Sequence, residues 1–181
     1  MEEESYQTVL GNRPLLYIFR PDSSKVEALG GPDQARNIMD NFRADVREAG
    51  YGNPYIVLVQ HKVDLAAKMV QILGADAISC YAIWGDGGNN GTPYQELANA
   101  AQNWWESAKK TGKEVVPTVT AGWDRRPRIE HPVPWEPWQE PYEGMEKYFA
   151  TPTPDEIAAH LKDAMTWVQK RKRVCPAQAV I

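Results

Sequence analysis

Tyr55-Ile56-Val57-Leu58-Val59 decides the fold of this 181-residue chain. Five apolar residues in a row, closed off by Pro54 and Gln60, read as a strand covered on both faces, which is how strands of parallel sheets are written. Such a strand needs helices beside it, and the flanking sequence supplies them. Upstream, residues 32–49 place Ala35, Ile38, Met39, Phe42 and Val46 at helical spacing, with Gly50 and Gly52 to stop the helix. Downstream, Leu65, Ala66, Met69, Val70 and Leu73 form the inner face of a shorter helix that Gly74 ends.

The alternation continues outward. Residues 15–19 read as a strand, followed by a turn-rich stretch, and residues 77–83 as another. Thr92-Pro93-Tyr94-Gln95 has the form of a capping box with proline at the first helical position. Leu97, Ala101, Trp104, Trp105 and Ala108 make that helix's inner face, Gly112 ends it, and residues 115–120 supply a fourth strand. Thr153-Pro154-Asp155-Glu156 repeats the capping device before a helix with Ile157, Leu161, Ala164, Met165 and Val168 inward. Residues 177–181 begin a fifth strand.

This β-α order implies parallel strands with right-handed crossovers, in an open doubly wound sheet or in part of a (β/α)8 barrel. A final strand with no helix after it, in a chain shorter than the about 250 residues of a complete barrel, favours the second. The expectation is therefore an α/β fold, a partial (β/α)8 (TIM) barrel truncated at both ends. Residues 1–12 are expected to be a disordered lead-in and residues 13–181 the barrel domain. Residues 125–152, with six prolines and two tryptophans, read as a long aromatic and proline-rich insertion. A half-barrel has two open sheet edges, which template association, so self-association of the chain is expected.

Composition narrows the function. A formal charge of −4 and a pI near 5.4 give no basic face for nucleic acid. The one basic run, 170–173, lies where cations complement a helix terminus. No apolar stretch reaches the about 20 residues of a membrane span. The acidic Met1-Glu2-Glu3-Glu4 shows no signal-peptide pattern. That leaves the compartment open, with a secreted or periplasmic whole protein among the options. Cys80 and Cys175 read as small buried thiols.

In either architecture ligands meet the C-terminal ends of the strands. Arg20-Pro21-Asp22 follows the first, Gln60 and His61 the second. The third is followed by Tyr81, Trp84, Asp86 and a glycine-rich segment, 85–91. After the fourth come Trp123, Asp124, Arg125 and Arg128. Tryptophans beside fixed charges at strand ends suit a polyhydroxylated ligand. No histidine or cysteine spacing suits a metal, so neither metal nor cofactor is expected. The 85–91 segment lacks the glycine order and lysine of a phosphate loop, which leaves a nucleotide-binding open sheet as a weaker alternative. Glu136, Glu140 and Glu143 lie in the insertion with Trp135, Trp138 and Tyr142, a plausible sugar wall or structural flap.

The stretch Pro117-Thr118-Val119-Thr120-Ala121-Gly122-Trp123-Asp124-Arg125-Arg126-Pro127-Arg128 resembles the "Pro-Ser/Thr-Val-x-Pro-Gly-Tyr/Trp-Asp-x-x-x-Ile/Pro-Arg" segment of glycoside hydrolase family 99 and its WbsX-like bacterial relatives. Leu15-Leu16-Tyr17-Ile18-Phe19-Arg20-Pro21 is similar to their "PVFLIYRP" strand, and Gly74-Ala75-Asp76-Ala77-Ile78-Ser79-Cys80-Tyr81 to their "GFDGFYTY"-like strand. Residues 149–161 resemble their last helix. The resemblance implies a (β/α)8 barrel acting on α-mannosides or related glycans. It also implies that this chain lacks the catalytic pair. The family's glutamates lie in an "H-x-E-P-Y-x-G-R" element upstream, and its last strand continues into "W-N-E-W/F-x-E-G". Glu140-Pro141-Tyr142-Glu143-Gly144 copies part of the first by letters but follows the wrong strand. Ala121 stands where the family has proline, and Trp123 where it more often has tyrosine, which leaves the sugar open.

On this footing the chain is expected to carry part of a sugar cleft without hydrolysing on its own. Tyr81, Trp84 and Trp123 would stack on pyranose faces, while Arg20, Asp86, Asp124, Arg125 and Arg128 would bind hydroxyls. A non-catalytic carbohydrate-binding or polysaccharide-assembly protein on the same barrel is the alternative.

Overall fold

The computed structural model describes residues 6–83, 91–124, 126–134 and 148–181. Along these residues the order is β1 (Thr8–Val9), β2 (Arg13–Phe19), α1 (Ser23–Ala28), α2 (Pro32–Glu48), β3 (Tyr55–Val59) and α3 (Val63–Leu73). There follow β4 (Ala77–Ser79), α4 (Tyr94–Lys110), β5 (Glu114–Val115), α5 (Arg126–Glu130) and α6 (Pro154–Gln169). The strands lie side by side in sequence order, β1-β2-β3-β4-β5, in one curled sheet. From β2 to β5 every pairing is parallel, with Leu15 opposite Tyr55, Val57 opposite Ala77 and Ile78 opposite Val115. All five residues of β3 are buried, as a strand covered on both faces requires.

Alternation along the strands sorts the core into two faces. Ile56, Leu58, Ile78, Cys80 and Val115 pack with α1, α2, α3, α4 and α6 residues, among them Val26, Ala35, Met69, Leu97, Trp105 and Val168. Leu15, Tyr55, Val57, Ala77 and Val116 face the other way, where Val9 and Ala179 complete the cluster and no helix residue joins it. Doubly wound sheets carry helices on both faces. Among the described residues the helices that join the core, α1 to α4 and α6, lie on one face, and the strands keep sequence order, so the architecture is a half-barrel.

The N-terminal ends of the strands are tied by one carboxylate. Asp76 accepts from Arg13 at 2.6 Å, from Arg43 at 2.7 Å and from the Ile56 N–H at 2.8 Å. Arg43 also donates to the Gly74 carbonyl at 2.9 Å and to that of Pro54, and Arg13 donates to the carbonyls of Asn53 and Pro54, both at 2.9 Å. The cluster therefore joins β2, α2, β3 and the start of β4. Gly74 holds the turn before it in the left-handed region (φ 64°), where a Cβ would stand 2.6 Å from the Arg36 guanidinium carbon.

Several expectations need correction. Residues 6–12, expected as part of a disordered lead-in, form an arm: Thr8 and Val9 pair antiparallel with Pro14 and Arg13, and the Tyr6 hydroxyl donates to the Leu15 carbonyl at 3.0 Å. Val9 is buried against the inner face, which is what orders the arm. The turn-rich stretch after β2 holds a short helix, α1, capped by the Asp22 carboxylate on the Lys25 N–H at 3.0 Å. The box at Thr92 does not cap α4, whose N-cap is Pro93; the Thr92 backbone pairs instead with the strand-like 148–150 segment. The box at Thr153 forms in full, with Glu156 and Thr153 bonded reciprocally.

The inner face of α6 is also out of phase with expectation. Leu161 and Met165 are 43% and 49% exposed, and the buried stripe is His160, Ala164, Trp167 and Val168. Aromatic packing sets the phase. His160 stacks on Trp105 at 5.4 Å and 4° and meets Tyr94 edge-on at 6.2 Å, while the Trp167 indole N–H donates to Glu106 of α4 at 2.6 Å. Finally, residues 177–181 form no regular strand. The chain end bonds parallel-fashion to the β5 extension, Ile181 N–H to Pro117 O at 3.0 Å and Val119 N–H to Ile181 O at 2.7 Å. Cys80 and Cys175 are free and buried.

Two outcomes test this packing. Asp76→Ala leaves two guanidiniums and a backbone N–H without their acceptor, and is expected to cost about 3 kcal/mol in urea unfolding. His160, 2% exposed, has no hydrogen-bond partner for either ring nitrogen among the described residues. Burial pushes its imidazole below the ordinary 6.5, with Asp163 opposing more weakly. The unfolded chain thus takes up this proton first, so the stability is present above the unfolded value and is lost as pH falls through the lower, folded one. Unfolding free energy measured from about pH 7.5 to about pH 5 should fall, and His160→Phe should flatten that part of the slope.

Candidate functional site

The C-terminal ends of the strands gather the polar and aromatic residues. On β2 the inner-face row is Leu15, Tyr17, Phe19; on β4 and its extension it is Ala77, Ser79, Tyr81. Leu15, Ala77 and Ser79 are buried and Tyr17 partly so, but Phe19 is 57% and Tyr81 71% exposed. Phe19 pairs with Val59 and Val59 with Ser79, so the two rings meet across the end of β3. Their centroids lie 5.2 Å apart at 78°, an edge-to-face contact.

Arg20 follows directly. Its φ of 47° lies in the left-handed region, which non-glycine residues seldom occupy and which clusters at ligand sites. Its N–H donates to Val59 O at 2.9 Å and its carbonyl accepts from Lys25 Nζ at 2.5 Å, two bonds that hold the turn. Burial, then Arg20 and Lys62, push the His61 imidazole below its usual range, which keeps it neutral near neutral pH.

Hydroxyl groups hold the β4 rim against the β5 extension. Beyond the Val116 N–H to Ile78 O bond, Ser79 Oγ donates to Val116 O at 2.7 Å, and Thr118 Oγ1 accepts from the Cys80 N–H at 3.2 Å while donating to the Cys80 carbonyl. Tyr81 is therefore carried on a rim pinned by side chains where the regular ladder ends.

Trp123, Asp124 and Arg128 form a different group. Arg126 clasps the Asp124 carboxylate through Nε at 3.0 Å and Nη2 at 2.7 Å, and its backbone N–H adds a bond of 2.9 Å. These bonds hold the carboxyl below its usual range. The Arg126 guanidinium lies 3.6 Å above the Tyr148 ring, and that of Arg128 5.3 Å from the Trp123 ring centre. Trp123 is half-buried against the helix-side core. Its carbonyl accepts from Phe149 at 2.9 Å, and the Thr92 carbonyl from Ala150 at 2.7 Å, so residues 148–150 join the chain beyond β5 to the start of α4.

Of the residues expected to bind substrate, Tyr81 stands on the inner rim against Phe19, Arg20 follows Phe19 in the chain and acts on His61, and Trp123, Asp124 and Arg128 share the second group. Trp84, Asp86 and Arg125, and the glutamates and aromatics of 135–147, lie outside the described residues. Sequence reading passed over Phe19, Arg126 and Tyr148. Phe19 was legible by alternation with Tyr17, and Arg126 by its place two residues past Asp124; nothing local marks Tyr148.

Among the described residues no three His, Cys, Asp or Glu side chains converge as metal ligands, and no helix is long and apolar enough to cross a membrane. Compared with known proteins, the chain matches no family model, no curated protein and no solved structure. Thr118→Val removes the hydroxyl but keeps the shape, leaving the Cys80 amide groups unpaired. Thermal or urea unfolding should register a loss of about 1–3 kcal/mol.

Proposed function

We propose that the inner rim of this half-barrel binds a glycan, with Phe19 and Tyr81 as the stacking surface and Arg20 as the charged contact beside it, and that the chain is part of a glycoside-hydrolase-like (β/α)8 barrel. The exposed aromatic pair carries the reading. Two large rings held edge-to-face at strand ends add little to the core, whereas a pyranose offers them an apolar C–H face and hydroxyls for a neighbouring guanidinium. Sequence-ordered parallel strands with helices on one face support the barrel, and the resemblance of residues 117–128 to glycoside hydrolase family 99 supports the ligand class, with α-mannosides or related glycans first.

The role proposed is binding rather than proton transfer. A general acid at neutral pH needs a raised pKa. Asp124 is held low by Arg126, and Asp22 is held low by bonds from Ser24 and Lys25 as it caps α1. In a barrel of this kind the resemblance assigns bond cleavage to a glutamate pair in an element not matched here.

Calorimetric titration with manno-oligosaccharides tests the proposal. Phe19→Ala and Tyr81→Ala should each weaken binding at least about tenfold, about 1.4 kcal/mol. Both side chains are exposed, so unfolding free energy should change by only about 0.5 kcal/mol. Absence of binding across a panel of neutral and acidic oligosaccharides, or full affinity in the double variant, would overturn it.

A further inference from the structure

On the helical side of the same rim, residues of α3 and α4 line a cavity of about 310 Å³. This is the low end of the range for small-ligand sites, the size of one ring or a fused pair. Its chemistry is divided. Val63 at the start of α3, Ile83 beyond β4, and Ala100 and Trp104 of α4 give it aliphatic and aromatic surface. His61, Asn103 and Ser107 add three polar side chains, and Asn103 and Ser107 stand one turn apart on exposed positions of α4, at the mouth. The Trp104 indole N–H donates to the His61 carbonyl at 2.8 Å, which fixes the indole plane between the two helices.

Among the described residues no Asp, Glu, Lys or Arg lines the cavity, and burial, then Arg20 and Lys62, push its imidazole below the usual range. An ionised ligand would leave water with no counter-charge among the described lining residues, Arg20 and Lys62 acting only from beyond them. A pyranose would bring hydroxyls around its whole edge into a space whose polar groups are few, and those facing Val63, Ile83 and Ala100 would go unpaired. A flat ring with one polar edge meets neither penalty: its faces lie against the indole and the aliphatic side chains while its edge turns to Asn103 or Ser107.

We propose that this cavity is a binding site for a small neutral aromatic molecule with an N–H or O–H on its edge, of the indole or phenol type. It is separate from the inner-rim surface and does not depend on the glycan reading. Titration of the labelled chain with indole and with phenol, followed by amide and indole NMR signals, tests it. Saturable shifts confined to His61, Ala100, Asn103, Trp104, Ser107 and their neighbours are expected. Benzoate and methyl α-mannopyranoside should leave these signals in place. Ala100→Leu, which fills the cavity, should weaken indole binding at least tenfold, and Ser107→Met, at an exposed helix position, closes the mouth as a second, independent block. Shifts scattered over the surface, equal shifts with benzoate or the mannoside, or unchanged binding in whichever blocked variant folds would overturn the proposal.

Discussion

Everything in this half-barrel is referred to the carboxylate of Asp76. Two guanidiniums from β2 and α2 and the Ile56 N–H of β3 converge on it, and it stands one residue before β4. Charge-assisted bonds of this kind are short and directional. They set the relative height of three parallel strands at the end where helices hand over to the sheet. Tyr55 belongs to the same end: the Arg13 guanidinium lies 4.9 Å from its ring centre, and its hydroxyl donates to Glu114 at 2.6 Å, which carries the registration on to β5. A parallel sheet lacks tight hairpins to hold its register, and here a polar cluster does that work at one end. The other end is left free to vary in chemistry.

The two faces of the sheet are closed by different means. Helices cover the outer face, and aromatic stacking between α4 and α6 decides which stripe of α6 turns inward. Among the described residues no helix joins the inner face; the arm at Thr8–Val9 and the chain near Ala179 close its lower part with small and branched side chains. Towards the C-terminal ends no further described residue joins this inner cluster, and there Phe19 and Tyr81 are 57% and 71% exposed. One sheet thus holds a sealed apolar floor and an exposed aromatic rim on the same alternating rows.

The segment around Trp123, Asp124 and Arg128 has the composition of a ligand site, yet much of its chemistry is turned on itself. Arg126 holds Asp124 and lies on Tyr148, Arg128 lies beside Trp123, and Trp123 leans on the core. Its role in these contacts is to bind residues 148–150 to the strand ends. Such internal use of charge is common where an Asp and an Arg stand two residues apart, because a bidentate grip can form within a single turn. The carboxylate is then ionised and occupied, which suits positioning and not proton transfer.

The sequence by itself determined the strand–helix alternation from β2 through α4 to β5 and α6, the parallel character of β3, the α2 and α3 termini, the Thr153 capping box and the two buried thiols. Each depends on contacts within a few residues or on periodicity along one element, and such signals survive without knowledge of partners. The tertiary structure alone decided that α1 to α4 and α6 pack on one face, that His160 and not Leu161 is buried, that the N-terminal arm is ordered by Val9, and that Thr92 pairs with residue 149 instead of capping α4. It also chose Phe19 and Tyr81 over Trp123 as the exposed aromatic surface. These outcomes depend on which groups from distant parts of the chain arrive beside one another. A hydrogen bond or a stacked ring goes to whichever partner the packed core brings within reach, and local sequence does not carry that information.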